Sequence, residues 1–148
     1  MKKVWILLLL VCFYSSCEEE YVSNIPYAKV NLELNTLTQD YDLIPILSYK
    51  TFTQRRYDTD RIGYGGILVT NGIGTGVLNL YAYDLSCPVE AMRNIRVVPN
   101  DYGEACCERC GAKFNISSGL GNPISGTSLG LKTYSVTYAG NNTYRVVN

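Results

Sequence analysis

The stretch CERCGAKFNISSGLGNPISGTSLGLKTYSV, residues 107–136, decides the fold and carries most of the candidate chemistry of the chain. It begins with Cys107 and Cys110, spaced as C-x-x-C, and runs through several glycines into an alternating, strand-like segment. A further cysteine, Cys87, lies twenty residues upstream of Cys107. The chain contains no histidine, so a metal bound here would need thiolate or oxygen ligands.

The rest of the sequence has the pattern of an all-β protein. In residues 30–34, Val30, Leu32 and Leu34 alternate with polar residues, which is the period of a half-buried strand. Similar runs at residues 43–49 and 77–83 predict further strands, and residues 129–147 predict a closing hairpin. Asn71-Gly72 is a tight-turn signal. Short strands between Gly and Asn turns, without helical periodicity, predict a β-sandwich or barrel.

The N-terminus has the pattern of a secretory signal. A basic head at residues 1–3 precedes an apolar run from Val4 to Tyr14, and Ser15-Ser16 then precede Cys17. The apolar run is shorter than the ~20 residues needed to span a bilayer. This arrangement resembles a bacterial lipoprotein signal peptide over residues 1–16, which implies cleavage before Cys17 and lipidation of its thiol. An ordinary cleaved signal that leaves Cys17 free is the alternative.

The lipoprotein resemblance implies a location and a division of the chain. Residues 17–26 are predicted to form the lipidated cysteine and an acidic tether that includes Glu18, Glu19 and Glu20, and residues 27–148 a single β domain. The domain would be lipid-anchored in the bacterial cell envelope, at the outer membrane, facing the periplasm or the cell surface. The membrane is the partner implied by the lipid on Cys17.

Charge and composition exclude several function classes. Lys plus Arg and Asp plus Glu number 13 each, and loss of Lys2 and Lys3 with the signal leaves 11 against 13. No basic stripe is present, so nucleic acid is not an expected partner. The absence of histidine excludes Ser–His and Cys–His catalytic arrangements. We therefore expect no catalytic residues, and at most an electron-transfer protein with an unknown redox or protein partner.

The cysteine spacing resembles the cluster-binding part of a Rieske iron–sulfur domain. In that family a C-x-H motif is followed, after 15 to 17 residues, by C-x-x-H. Here Cys87-Pro88-Val89 and Cys107-Glu108-Arg109-Cys110 stand seventeen residues apart, and Gly111 and the loop 122–126 match family glycine positions. The resemblance implies a Rieske-like two-sheet sandwich with a small cluster-binding subdomain inserted at about residues 84–126.

Both histidine positions of the Rieske pattern are changed in this chain. Val89 occupies the first position and has no ligating atom, and Cys110 occupies the second, where a thiolate can bind metal. The resemblance thus implies metal ligation by Cys87, Cys107 and Cys110. Glu90 or Cys106 is the candidate for a fourth ligand.

Three alternatives for the cysteines stay open on the sequence. The first is a variant [2Fe–2S] cluster of low potential, because thiolate replaces the neutral His ligands. The second is a metal-free binding or structural domain stapled by disulfides, as an exported chain with an even number of cysteines permits. The third is a zinc site. The second and third alternatives draw on the same four residues, Cys87, Cys106, Cys107 and Cys110.

Overall fold

The computed structural model describes residues 21–148, and over this range the protein is all-β. The predicted signal peptide at 1–16, the lipidation of Cys17 and the acidic residues 18–20 lie outside the described residues. Within them, no helix has the length and hydrophobicity that crossing a bilayer requires. The strands form two antiparallel sheets, one of seven strands and one of four.

The larger sheet has the strand order β2-β4-β5-β10-β11-β1-β3. Its members are β1 Val30–Asn35, β2 Tyr49–Phe52, β3 Arg61–Ile62, β4 Ile67–Asn71, β5 Leu80–Asp84, β10 Thr133–Gly140 and β11 Thr143–Val147. The predicted alternation in β1 is confirmed, because Val30, Leu32 and Leu34 are all buried. The predicted closing hairpin is also confirmed, with Asn141 and Asn142 both at positive φ between β10 and β11.

The smaller sheet lies, along the chain, between β5 and β10. Its order is β6-β7-β8-β9, with β6 Val97–Pro99, β7 Glu104–Cys107, β8 Lys113–Asn115 and β9 Pro123–Ser125. Strands β5 and β10 pair directly, with Thr133 opposite Tyr83 and Tyr134 opposite Ala82. The chain therefore leaves the large sheet after Asp84 and returns beside the same strand.

Two hydrophobic cores lie on opposite sides of β4 and β5. Ile67 and Val69 of β4 pack into the first core with β1 and β11, whereas Leu68 packs into the second. The second core joins the large sheet to the small one and contains Tyr83, Phe114 and Ile116 together with Cys87 and Cys107. This two-sided burial explains why all five residues of β4 are buried.

Three details of the sequence prediction were wrong. Residues 43–49 do not form a strand, because Tyr41–Leu43 is a short 3-10 turn and β2 begins only at Tyr49. Asn71-Gly72 is not a tight turn: Asn71 ends β4, and its side chain bonds the Ile44 carbonyl and the Asn79 amide. β5 and β10 begin at Leu80 and Thr133, later than predicted. Leu43 packs into the first core from the 3-10 turn, so its burial does not require a strand at this position.

The buried carboxylate of Asp84, the last residue of β5, accepts several hydrogen bonds. Asp84 Oδ2 accepts hydrogen bonds from the Tyr134 hydroxyl (2.7 Å) and the Tyr64 amide (2.8 Å), and Oδ1 accepts from the Ser86 amide (2.8 Å). Burial and the neighbouring Asp84 charge raise the pKa of the Tyr134 hydroxyl, which therefore stays protonated and donates. The Gly65 amide also donates to Asp84. A Cβ on Gly65 would lie 1.9 Å from Ser86 Oγ, so this close approach requires glycine.

Replacement of Asp84 tests this network. We expect Asp84→Asn to lower the free energy of unfolding by roughly 2–4 kcal/mol, because the amide nitrogen faces backbone donors that it cannot satisfy. Urea denaturation measures the change. Asp58→Asn is the matched control at an exposed position and should cost no more than about 0.5 kcal/mol. Equal losses in the two variants would show that Asp84 is not a stabilising centre of the fold.

Candidate metal centre

Two loops bring three of the predicted ligands together. The first loop, residues 87–91, follows β5, and the second, residues 107–111, follows β7. The Sγ atoms of Cys87, Cys107 and Cys110 all lie within 4.8 Å of one another. The Sγ atoms of Cys87 and Cys110 are 3.6 Å apart. Cys87 and Cys107 are buried and Cys110 is exposed, so the group lies at the protein surface with one open side.

The two loops have the same backbone arrangement. The Ala91 amide donates to the Cys87 carbonyl (2.9 Å), and the Gly111 amide donates to the Cys107 carbonyl (2.8 Å). Both loops end in a left-handed residue, since φ is 49° at Ala91 and 75° at Gly111. Each cysteine is thus the first residue of a turn that closes four positions later.

Backbone N–H groups of each loop favour the thiolate of its first cysteine. The N–H groups of Val89 and Glu90 act to lower the pKa of the Cys87 thiol, and those of Arg109 and Cys110 that of the Cys107 thiol; they belong to the second and third residues after each cysteine. Hydrogen bonds from N–H groups stabilise a thiolate relative to a thiol. The two turns are therefore shaped to hold negatively charged sulfur.

The two buried thiols differ in acidity. Burial raises the pKa of the Cys87 thiol to about 12, and the neighbouring Cys107 and Cys110 thiols add to this rise. At Cys107 burial also disfavours the thiolate, but the N–H donors and the adjacent thiols outweigh burial and lower the pKa. The Cys107 thiol therefore has the lower pKa of the two.

Cys106 lies apart from the three clustered cysteines. In β7, Ala105 and Cys107 face the second core, and Cys106 alternates to the other face between Val98 of β6 and Lys113 of β8. Its Sγ contacts the Cys107 carbonyl oxygen at 3.8 Å. The predicted four-thiolate set with Cys106 is therefore not assembled in this structure.

Glu90 and Val89 lie in the first loop beside the cluster. The Glu90 side chain is 21% exposed, and its Oε2 lies 3.5 Å from Nε of Arg109 in the second loop. Its carboxylate is outside the group of atoms within 4.8 Å of one another. Val89, which stands where the Rieske pattern has its first histidine, is 41% exposed, and its backbone N–H acts to lower the pKa of the Cys87 thiol.

A second layer of contacts, which the sequence did not reveal, fixes the first loop. The Tyr64 hydroxyl donates to the Ala91 carbonyl (3.3 Å), and Arg96 Nε donates to the Gly65 carbonyl (2.6 Å). The Cys87 amide donates to the Ile95 carbonyl (2.9 Å). The sequence signal for this layer is the glycine-rich segment Gly63-Tyr64-Gly65-Gly66.

All four cysteines of the described residues, Cys87, Cys106, Cys107 and Cys110, are free. Three clustered thiolates can hold a soft or borderline metal ion, and no imidazole is available for the second iron of a Rieske cluster. Comparison with known proteins found no match to a protein-family model and none to a curated protein sequence. The Rieske resemblance therefore depends on the residues of this chain alone.

Proposed function

We propose that the protein is a membrane-anchored lipoprotein of the bacterial cell envelope whose β domain holds metal through Cys87, Cys107 and Cys110. The observation that carries the proposal is the convergence of the three Sγ atoms within 4.8 Å, at two turns of the same backbone geometry. Thiolate ligands select zinc, copper(I) and iron–sulfur centres. The lipid anchor is proposed from the sequence of residues 1–20.

The Rieske-like part of the proposal has support from the placement of the loops. The two cysteine loops meet although they follow strands of different sheets. The segment 122–126 lies beside the second loop, where Gly126 has φ 83° and a Cβ on it would be 3.0 Å from Ala112 Cα. A domain with this frame but without histidine would bind its metal with thiolate in place of imidazole.

A Rieske cluster with its usual ligands does not fit this chain. That cluster binds one iron through two Cys and the other through two His, and Val89 and Cys110 stand where the His residues are expected. If a [2Fe–2S] cluster were held by thiolates, added negative charge would give it a low potential, and it would lack the imidazole proton. The protein would then be a low-potential electron carrier.

Metal analysis of serine variants tests the proposal. The full-length chain, extracted from membranes under anaerobic conditions, should retain metal, and Cys106→Ser should retain the same amount. Cys107→Ser and Cys110→Ser should each weaken metal binding at least about tenfold, because each removes one of three thiolates. Cys110 is exposed, so its variant separates ligand loss from core disruption. A wild-type chain that binds no metal after incubation with iron, sulfide or zinc would contradict the proposal.

The second candidate function is that of a metal-free binding or structural domain cross-linked by a disulfide. The observation that favours it is the 3.6 Å separation of the Cys87 and Cys110 Sγ atoms, which a modest side-chain movement would close. Such a bond would stabilise the fold by about 3 kcal/mol on the chain-entropy model. We expect oxidation to form one disulfide and so remove two hydrogens from the chain, and not four, since Cys106 faces away from the other three cysteines. Intact mass before and after reduction measures this, and a loss of four hydrogens would contradict the single bond.

The lipid anchor is tested separately from the metal. Cys17→Ser should abolish incorporation of a labelled fatty acid and release the protein from washed membranes, because no lipid then holds the chain. Cys12→Ser, within the predicted signal, is the control and should leave labelling and fractionation unchanged. Equal membrane retention and labelling of the Cys17 variant and the wild type would contradict lipidation at Cys17.

A further inference from the structure

We propose that the site holds a single tetrahedral ion of the zinc type rather than a two-iron cluster, with the carboxylate of Glu90 as the fourth ligand. This inference depends on the proposed metal-binding function and specifies the number of ions, the ligand set and the chemical class of the metal. It is carried by two observations: the spacing of the sulfur atoms and the equivalence of the two loops.

The sulfur spacing matches one ion. A Zn–S bond of about 2.3 Å in tetrahedral geometry places two thiolate sulfurs about 3.8 Å apart. The Sγ atoms of Cys87 and Cys110 are 3.6 Å apart, and the third sulfur lies within 4.8 Å of both. In a two-iron cluster, ligands of different irons are farther apart, because the bridging sulfides and the second iron lie between them. Cys110 stands where a ligand of the second iron is expected, yet it lies as close to Cys87 as a ligand of the same ion would.

The loop equivalence identifies the fourth ligand. Cys110 is the third residue after Cys107, and Glu90 is the third residue after Cys87. Both directly precede the left-handed residue that ends the turn, and in each turn that residue donates its backbone N–H to the carbonyl of the first cysteine. The two side chains therefore leave equivalent backbone positions. Because Cys110 reaches the sulfur of the other loop, Glu90 is positioned to reach the same centre from its own side.

The contacts of Glu90 permit this role. Its carboxylate already lies over the second loop, 3.5 Å from Arg109 Nε. The Arg109 side chain is 62% exposed, so this ion pair holds the carboxylate only weakly against a divalent ion. The arginine also places positive charge beside a centre of three thiolates and one carboxylate. A rotation of the Glu90 side chain toward the sulfurs would thus complete four protein ligands.

A site closed by four protein ligands has a structural role. Zinc has no redox chemistry, and closed sites of this kind contribute to folding. The ion would join the loop that follows β5 to the loop that follows β7, and so connect the large sheet to the small one. On this inference the protein keeps a Rieske-like frame without electron transfer.

Cobalt(II), which reports coordination in its visible spectrum, tests the inference on the full-length chain. We expect one cobalt per chain, tetrahedral d–d bands and displacement by zinc. Glu90→Gln should weaken cobalt binding about tenfold or more with thiolate-to-cobalt bands unchanged, whereas the exposed control Glu108→Gln should match the wild type. Glu90→Cys should raise the thiolate-to-cobalt intensity by about one third, from three thiolates to four.

The outcomes separate this inference from the proposed function. Two irons and two labile sulfides per chain would overturn the single ion and leave the thiolate metal centre standing. Glu90→Gln and Glu108→Gln variants with the same cobalt affinity would overturn the role of Glu90. A chain that binds no cobalt, zinc or iron would overturn both the inference and the proposed function.

Discussion

The rest of the structure depends on the hydrogen bonds that the Asp84 carboxylate accepts where the chain leaves the large sheet for the cysteine loops. This carboxylate joins the end of β5 to Tyr134 of β10, to the turn at Tyr64 and Gly65, and to the amide of Ser86. Ser86 directly precedes Cys87, so the same bonds that close the sheet also fix the start of the first cysteine loop. The position of the site thus depends on a buried charge that is not part of it.

The second requirement is that two separate turns repeat one backbone arrangement. In each turn a left-handed residue donates its N–H to the carbonyl of the first cysteine, and two further backbone N–H groups favour the thiolate of that cysteine. This arrangement lowers the cost of placing negative sulfur in a buried position. Glu90 and Cys110 also occupy equivalent positions in the two turns. Both side chains can therefore approach the same centre, which supports a site for one ion.

Much of the fold and part of the site could be predicted from the sequence. The alternation in β1 and the turn at Asn141-Asn142 are local signals, and the structure has both elements. The cysteine motifs indicated that Cys87, Cys107 and Cys110 would meet. The role of Asp84 was not predictable, because it depends on partners 20 and 50 residues away, Tyr64 and Tyr134. The direction of Cys106 depends on the register of β7 against β6 and β8, which adjacency to Cys107 does not reveal.

The number of metal ions bound by the intact protein distinguishes a single-ion centre from a two-iron cluster. Native mass spectrometry of the full-length chain, released from detergent under anaerobic conditions, measures the bound mass without assuming the metal. We expect one metal ion per chain and no sulfide, with loss of that mass in the Cys110→Ser variant. Added mass equal to two irons and two sulfides would contradict the single-ion centre, and a chain without added mass would contradict the metal centre altogether.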